Sequence, residues 1–183
     1  MSTITHPVLI WLPTAAVVAV AMELWAALLH GRVWHSWLWA LHRSHHVPRD
    51  GTFEANDLLS SIHAPIAILA ILWGCAGAPS LLREVVFGVG TGMTLFGVSY
   101  FVVHDGLVHG RLPVRGLLRL RYFREVVRAH VTHHVEAFDG APHGLFLGPL
   151  ELARHRRLTG ARSTSNARRR SPTGSPPTDR APV

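Results

Sequence analysis

With 183 residues the chain is sized for one domain, and its single cysteine, Cys75, excludes an internal disulfide framework. Hydrophobic residues make up 48% of it beside a formal charge of +7, and the mean hydropathy is +0.22. An ordinary soluble domain does not combine these values, and the sequence resolves the conflict by keeping apolar runs and charge apart.

The first apolar run, Val8 to Leu29, is broken only by Thr14 and Glu23 and is long enough to cross a hydrocarbon core of about 30 Å. A cleaved signal peptide is the competing reading, but the start lacks a basic region and no small-residue cleavage site follows. Leu58 to Leu82 is a second span, shortened by His63, Pro65 and the stretch from Gly74 to Pro79. Val85 to Val103 is a third and carries no charge. Its Gly88, Gly90 and Gly92 read as small residues for close helix packing, not as a nucleotide-binding turn. A fourth, shorter or re-entrant segment around Leu145 to Leu152 stays open.

The basic residues are all arginine. Arg83 stands alone between the second and third spans, while the other 17 of 18 lie at 32–49 and from 111 onward. The positive-inside rule then makes those regions cytoplasmic and puts the N-terminus outside. The expected fold is all-α, an integral membrane helical bundle of three to four spans with a histidine cap on the cytoplasmic face, in the plasma membrane if the source is bacterial. Trp34, Trp37 and Trp39 suit the membrane interface. Leu117 to Val135 reads as an amphipathic helix, with Leu120, Phe123, Val127, His130, Val131 and His134 on one side and Arg121, Arg124 and Arg128 beside them. Residues 1–159 form the expected membrane domain. Residues 160–183, rich in Ser, Pro and Arg, form an expected disordered tail.

Fourteen histidines need an explanation, and ten fall into four clusters. His30 and His35 form H-x4-H, and His42, His45 and His46 form H-x2-H-H. His104 and His109 repeat the first spacing, and His130, His133 and His134 repeat the second. Residues i, i+3 and i+4 share a helix face, so each triplet can aim its imidazoles at one place. The i, i+5 pairs are poorer on a regular helix, but Gly31 and Gly106 lie inside them where the first and third spans end, and a loosened turn can bring both rings inward. All ten histidines fall on one side of the expected membrane.

Ten neutral imidazoles exceed the roughly four ligands of a zinc site and suit two metals with positions left open. Imidazole alone does not name the metal. Ferritin-like E-x-x-H pairs and the H-E-x-x-H of zinc proteases are absent. Glu23, two helical turns before His30, is a candidate acceptor for the outer N–H of a ligand such as His30. Asn56, Asp57, Asp105 and Glu136 are further candidates for that supporting role, and His63 is an outer donor or a satisfied polar group. His6, His143 and His155 read as incidental. Without a nucleotide or flavin site the chain cannot collect electrons from NAD(P)H by itself, so if it reduces oxygen an external carrier must dock. No nucleic-acid partner is expected.

These clusters resemble the membrane fatty acid hydroxylase and sterol desaturase superfamily, and more finely the non-haem β-carotene hydroxylases. The resemblance rests on HRSHHVPRDGTFEANDL (His42–Leu58), GMTLFGVSYFVVHDGLVH (Gly92–His109) and AHVTHHVEAFDGAPHGLFLGP (Ala129–Pro149). It covers about Met22 to Leu152, with Ala55 in place of a usual leucine. It implies two irons held by the ten histidines, with O₂ as co-substrate. Electrons would come from a ferredoxin-type donor and its NAD(P)H reductase. The substrate would be a carotenoid dissolved in the lipid bilayer, hydroxylated at C3 of the β-ionone ring, so that β-carotene passes through β-cryptoxanthin to zeaxanthin. The alternatives are the same chemistry on a fatty acyl chain, sterol or ketolated carotenoid, and a membrane metal transporter or sensor. A transporter would set its ligands along a path within the spans rather than at their ends.

Overall fold

The computed structural model describes residues 7–48, 51–135 and 141–158, so Glu136 and the expected tail lie outside the described residues. Everything regular within them is helical. Helix α1 (Val8–Leu29) opens into a π-helical turn, His30–Trp34, and the short α2 (Trp39–His46) follows. Next come α3 (Asn56–Ser61) and α4 (Ala64–Cys75), then α5 (Leu81–Tyr100), which runs into a π-helical segment, Phe101–Val108. A 3₁₀ turn at Arg115–Arg119 leads to α6 (Arg121–His133), and residues 148–158 form α7.

Three stretches are long and apolar enough to cross a membrane: Val8–Trp34, Asn56–Cys75 and Leu81–Val108. Their outward faces carry Leu9, Val17, Leu69, Leu72 and Leu95, all exposed, as lipid-facing surface requires. The second stretch stops at Cys75, earlier than Leu82, because Pro79 and a glycine with positive φ, Gly77, cannot continue a helix. Ser80 then caps α5 by accepting from the Arg83 N–H at 3.4 Å. The Arg83 side chain lies over the Trp73 ring and donates to the Trp73 carbonyl, closing the α4–α5 turn. The fourth segment left open, around Leu145 to Leu152, is not among the described stretches long and apolar enough to cross a membrane. Leu145 and Leu152 are buried there, but α7 carries Glu151, Arg154, Arg156 and Arg157.

Helix α5 is the middle of the bundle and packs on both α1 and α4. Its glycines set the spacing. A Cβ on Gly88 would lie 2.7 Å from the Trp11 carbonyl oxygen, and one on Gly92 only 2.5 Å from that of Ala15. On the other face, a Cβ on Gly90 would meet the Ala67 carbonyl oxygen at 2.8 Å. Close backbone approach is the main adhesive between helices in lipid. Gly92→Leu is therefore expected to sharply reduce folded protein in membrane extracts and to lower its melting temperature. Gly97→Ala, where nothing lies within 4 Å of the added carbon, is expected to leave both unchanged.

Helix α6 buries much of the side its periodicity suggests, with Phe123, Val127, His130 and His134 buried or half-buried, but the face is shifted. Val126, Ala129, His130 and His133 are buried, whereas Leu120 and Val131 are exposed. The helix also starts later than Leu117, since the 3₁₀ turn and the extended Leu120 precede it. The reason is local packing. Val126 sits in a cluster with Val103, Leu107 and Leu145, and this turns the histidines of α6 toward the ends of α1 and α5.

Candidate metal centre

The two H-x4-H pairs lie on the two π-helical turns. In both, the amide five residues on closes the wide turn: His35 N–H donates to the His30 carbonyl at 3.1 Å, and His109 N–H to that of His104 at 3.0 Å. A π-turn carries more residues than an α-turn, so i and i+5 come round to one side, which a regular helix does not allow. Gly31 is needed for a separate reason: a Cβ there would fall 2.9 Å from the His143 ring.

The ten histidines meet in two adjoining groups. The first contains His30, His35, His42, His46 and His133, and the second His45, His109, His130 and His134. His104 joins the second, its Nε2 3.1 Å from that of His45. Each triplet is therefore divided. Helix α2 sends His42 and His46 to the first group and His45 to the second, while α6 sends His130 and His134 to the second and His133 to the first. Three imidazoles per triplet at a single point, the simplest reading of the spacing, is not the arrangement found.

The ring geometry suits a metal. His30 Nδ1–H donates to the His143 carbonyl at 2.8 Å, and His42 Nδ1–H to the Asn56 side-chain oxygen at 2.7 Å. With those protons on Nδ1, both Nε2 atoms are bare, and they face each other 3.0 Å apart. Two lone pairs at that distance repel unless a cation lies between them. In the second group, Nε2 of His130 is 2.9 Å from His134, 3.2 Å from His109 and 3.4 Å from His45. Ligands at about 2.0–2.1 Å from one ion stand about 2.8–3.4 Å from each other, for right-angle or tetrahedral arrangements. The donor set fits two metal ions, each with up to five imidazoles.

The electrostatics agree. Burial and the neighbouring rings push the imidazoles of His35, His42, His46 and His134 down to about 4, and His109 to about 3. Burial holds His45 and His130 well below the ordinary range. All are neutral at pH 7, with lone pairs free to bind.

Of the supporting residues read from the sequence, Asn56 bonds His42, and Asp105 Oδ2 stands 3.2 Å from His104 Nδ1. Asp57 pairs with Arg111 instead of a histidine. Glu23 does not bond His30. Its Oε1 accepts the Leu147 N–H at 2.8 Å, because the 143–147 loop lies between it and the histidines and supplies the carbonyl that His30 uses. His63 bonds Trp25 instead, its Nε2 accepting from Trp25 Nε1–H at 2.9 Å. His143 is not incidental: its carbonyl holds His30, and its ring packs near His30, His35 and His133. Glu151 also holds that loop, accepting from the His143 N–H at 2.9 Å.

A cavity of about 500 Å³ opens beside the second group, with Met22, Ile68, Met93 and Phe96 among its walls and Asp57, Asp105 and Arg111 also lining it. Tyr100 lines it too, and stacks on His104 with ring centroids 4.7 Å apart. The size is that of a small-molecule pocket.

Residues 15–150 match the fatty acid hydroxylase family, and the chain belongs to it. Among its relatives is the chloroplastic beta-carotene 3-hydroxylase of Gentiana lutea, 48% identical over 73% of this chain and 42% of the relative. Beta-carotene 3-hydroxylase 1 of Arabidopsis thaliana is 47% identical over 73% of this chain and 43% of its own. The beta-carotene hydroxylase of Pantoea ananas is 42% identical over 69% of this chain and 71% of the relative. The chain thus spans under half the length of these plant relatives. No solved structure matches it.

Proposed function

We propose that the chain is a membrane di-iron monooxygenase that hydroxylates C3 of the β-ionone rings of carotenoids, taking β-carotene through β-cryptoxanthin to zeaxanthin. The observation that carries this is the pair of imidazole groups with converging bare Nε2 atoms at the shared end of three spans, in a chain 42–48% identical to hydroxylases of that name. The first group would hold one iron and the second the other. When bound, such a centre supplies the oxidising power to insert one oxygen atom of O₂ into a C–H bond, with two electrons and two protons reducing the other to water.

The chain's own residues do the rest. Asn56, Asp105 and the His143 carbonyl orient ligand rings. The cavity offers an apolar ring a place to enter from lipid, and its walls exclude water around the reacting carbon. Electrons would come from an external ferredoxin-type carrier and its NAD(P)H reductase, steered by the arginines of the 3₁₀ turn and α6. The arginine distribution supports a cytoplasmic position for the histidines, and the membrane would be the plasma membrane if the source is bacterial.

Expression in a cell that accumulates β-carotene, followed by pigment chromatography, tests this reading: zeaxanthin and β-cryptoxanthin support it, and unchanged β-carotene beside well-inserted protein overturns it. Gly97 gives a finer check. It lines the cavity, and a side chain there meets no atom within 4 Å of its Cβ. Gly97→Leu is expected to fill the cavity, leave bound iron unchanged and lower carotenoid turnover at least about 10-fold, as misplaced reacting groups do.

A further inference from the structure

We propose that Arg111 is a positioning residue for the second metal, locking Glu54 and Asp105 in place behind His45 and His104; this rests on the two-metal reading above. Its guanidinium contacts three carboxylates at once. Nη2 lies 2.8 Å from Glu54 Oε1, and Nη1 lies 2.8 Å from Asp57 Oδ1 and 3.0 Å from Asp105 Oδ1. Three carboxylates this close repel each other, and the planar fork of arginine is suited to holding them together.

The far oxygens of two of those carboxylates face histidines of the second group. Asp105 Oδ2 lies 3.2 Å from His104 Nδ1, and Glu54 Oε2 lies 3.7 Å from His45 Nδ1. Among the described residues, Glu54 Oε2 is buried without a hydrogen-bond partner, so a small shift toward His45 would complete its bonding. Asp57 closes the turn that carries Glu54, accepting the Glu54 N–H at 2.9 Å. The backbone serves the same end. Gly110, at φ +69°, reverses the chain after the π-helical segment, and Arg111 N–H donates to the Asp105 carbonyl at 2.8 Å.

Arg111 thereby ties the 54–57 turn and the π-helical segment to the back of one metal site. Neither described outer partner of His30 and His42, in the first group, contacts Arg111, although Asn56 lies within the 54–57 turn. One is the His143 carbonyl, and the other is Asn56, whose N–H is bonded to Ser44 Oγ at 3.0 Å. Because Ser44 anchors Asn56 independently of Arg111, loss of Arg111 acts on the second metal far more than on the first.

The test is metal retention, which a merely structural ion pair would not divide between sites. The purified full chain, loaded with ferrous iron, is challenged with a ferrous chelator while iron per chain and protein melting are followed. Wild type is expected to release two irons slowly. Arg111→Gln is expected to release one of them about 10–100-fold faster, with the other changed far less. Asp105→Asn, a near-isosteric change, is expected to do the same. The double variant is expected to lose no more than the stronger single, because both act through one unit. Release of both irons faster together, wild-type release from Arg111→Gln, or full additivity in the double variant would each overturn the proposal. A wild-type chain that never holds two metals would contradict the metal centre itself, a failure distinguishable from the others.

Discussion

His42→Ala and His130→Ala are each expected to abolish carotenoid turnover, by more than about 100-fold, while the protein still inserts. That exceeds the roughly 10–100-fold cost of losing an outer partner of a ligand. His42 is nearly inaccessible, and its Nε2 lies 3.0 Å from that of His30 and 3.2 Å from that of His46. His130 is the corresponding hub of the second group, within 3.4 Å of three other Nε2 atoms. Alanine removes a donor and leaves a void lined by lone pairs. Each variant is expected to hold about half the wild-type iron, since the two groups share no ring, and neither half-filled centre is expected to turn over. Iron analysis beside pigment chromatography on the same preparations checks this. Near-normal turnover in both would mean that these rings do not carry the chemistry.

Glu23 is expected to separate its two obvious substitutions. Glu23→Gln keeps an oxygen for the Leu147 N–H and places an amide where Oε2 has no hydrogen-bond partner among the described residues. It also relieves crowding with Glu151, since both carboxylates lie within about 3 Å of the site where a Gly144 Cβ would stand. Near-wild-type iron content and turnover follow. Glu23→Ala leaves the Leu147 N–H buried and unpaired, a cost of about 1–3 kcal/mol, and slackens the loop whose carbonyl orients His30. An iron affinity about 10-fold weaker, partly recovered by added iron, is the expected result. Equal damage from Gln and Ala would show that the negative charge itself is needed.

The reversal at Glu23 shows where sequence reasoning stops. Its spacing from His30 places both on one side of α1, and that much is so, because both are buried. What intervenes is a loop more than a hundred positions further along, which no periodicity within α1 can reveal. His143 was missed for the same reason, since its role belongs to its backbone carbonyl. The spans were legible because lipid imposes a length and a composition, and only their ends shifted, where Gly77 and Pro79 act locally. The four clusters were legible as ligand-rich spacing, and Gly31 and Gly106 hinted that the i, i+5 pairs sit on distorted turns. The division of each triplet between two groups was not, because it depends on how α2 and α6 face each other. Arg111 was hidden by abundance: among 18 basic residues, one that gathers three carboxylates carries no mark in the sequence.

The measurement that bears most directly on the central claim uses the iron-loaded chain in lipid nanodiscs with β-carotene, a ferredoxin-type donor and its reductase, under isotopically labelled dioxygen. The account requires β-cryptoxanthin and zeaxanthin whose hydroxyl oxygen carries the label, formed only with iron, electrons and oxygen together. Hydroxylated product carrying oxygen from water, or full turnover in a chain stripped of metal, would contradict it.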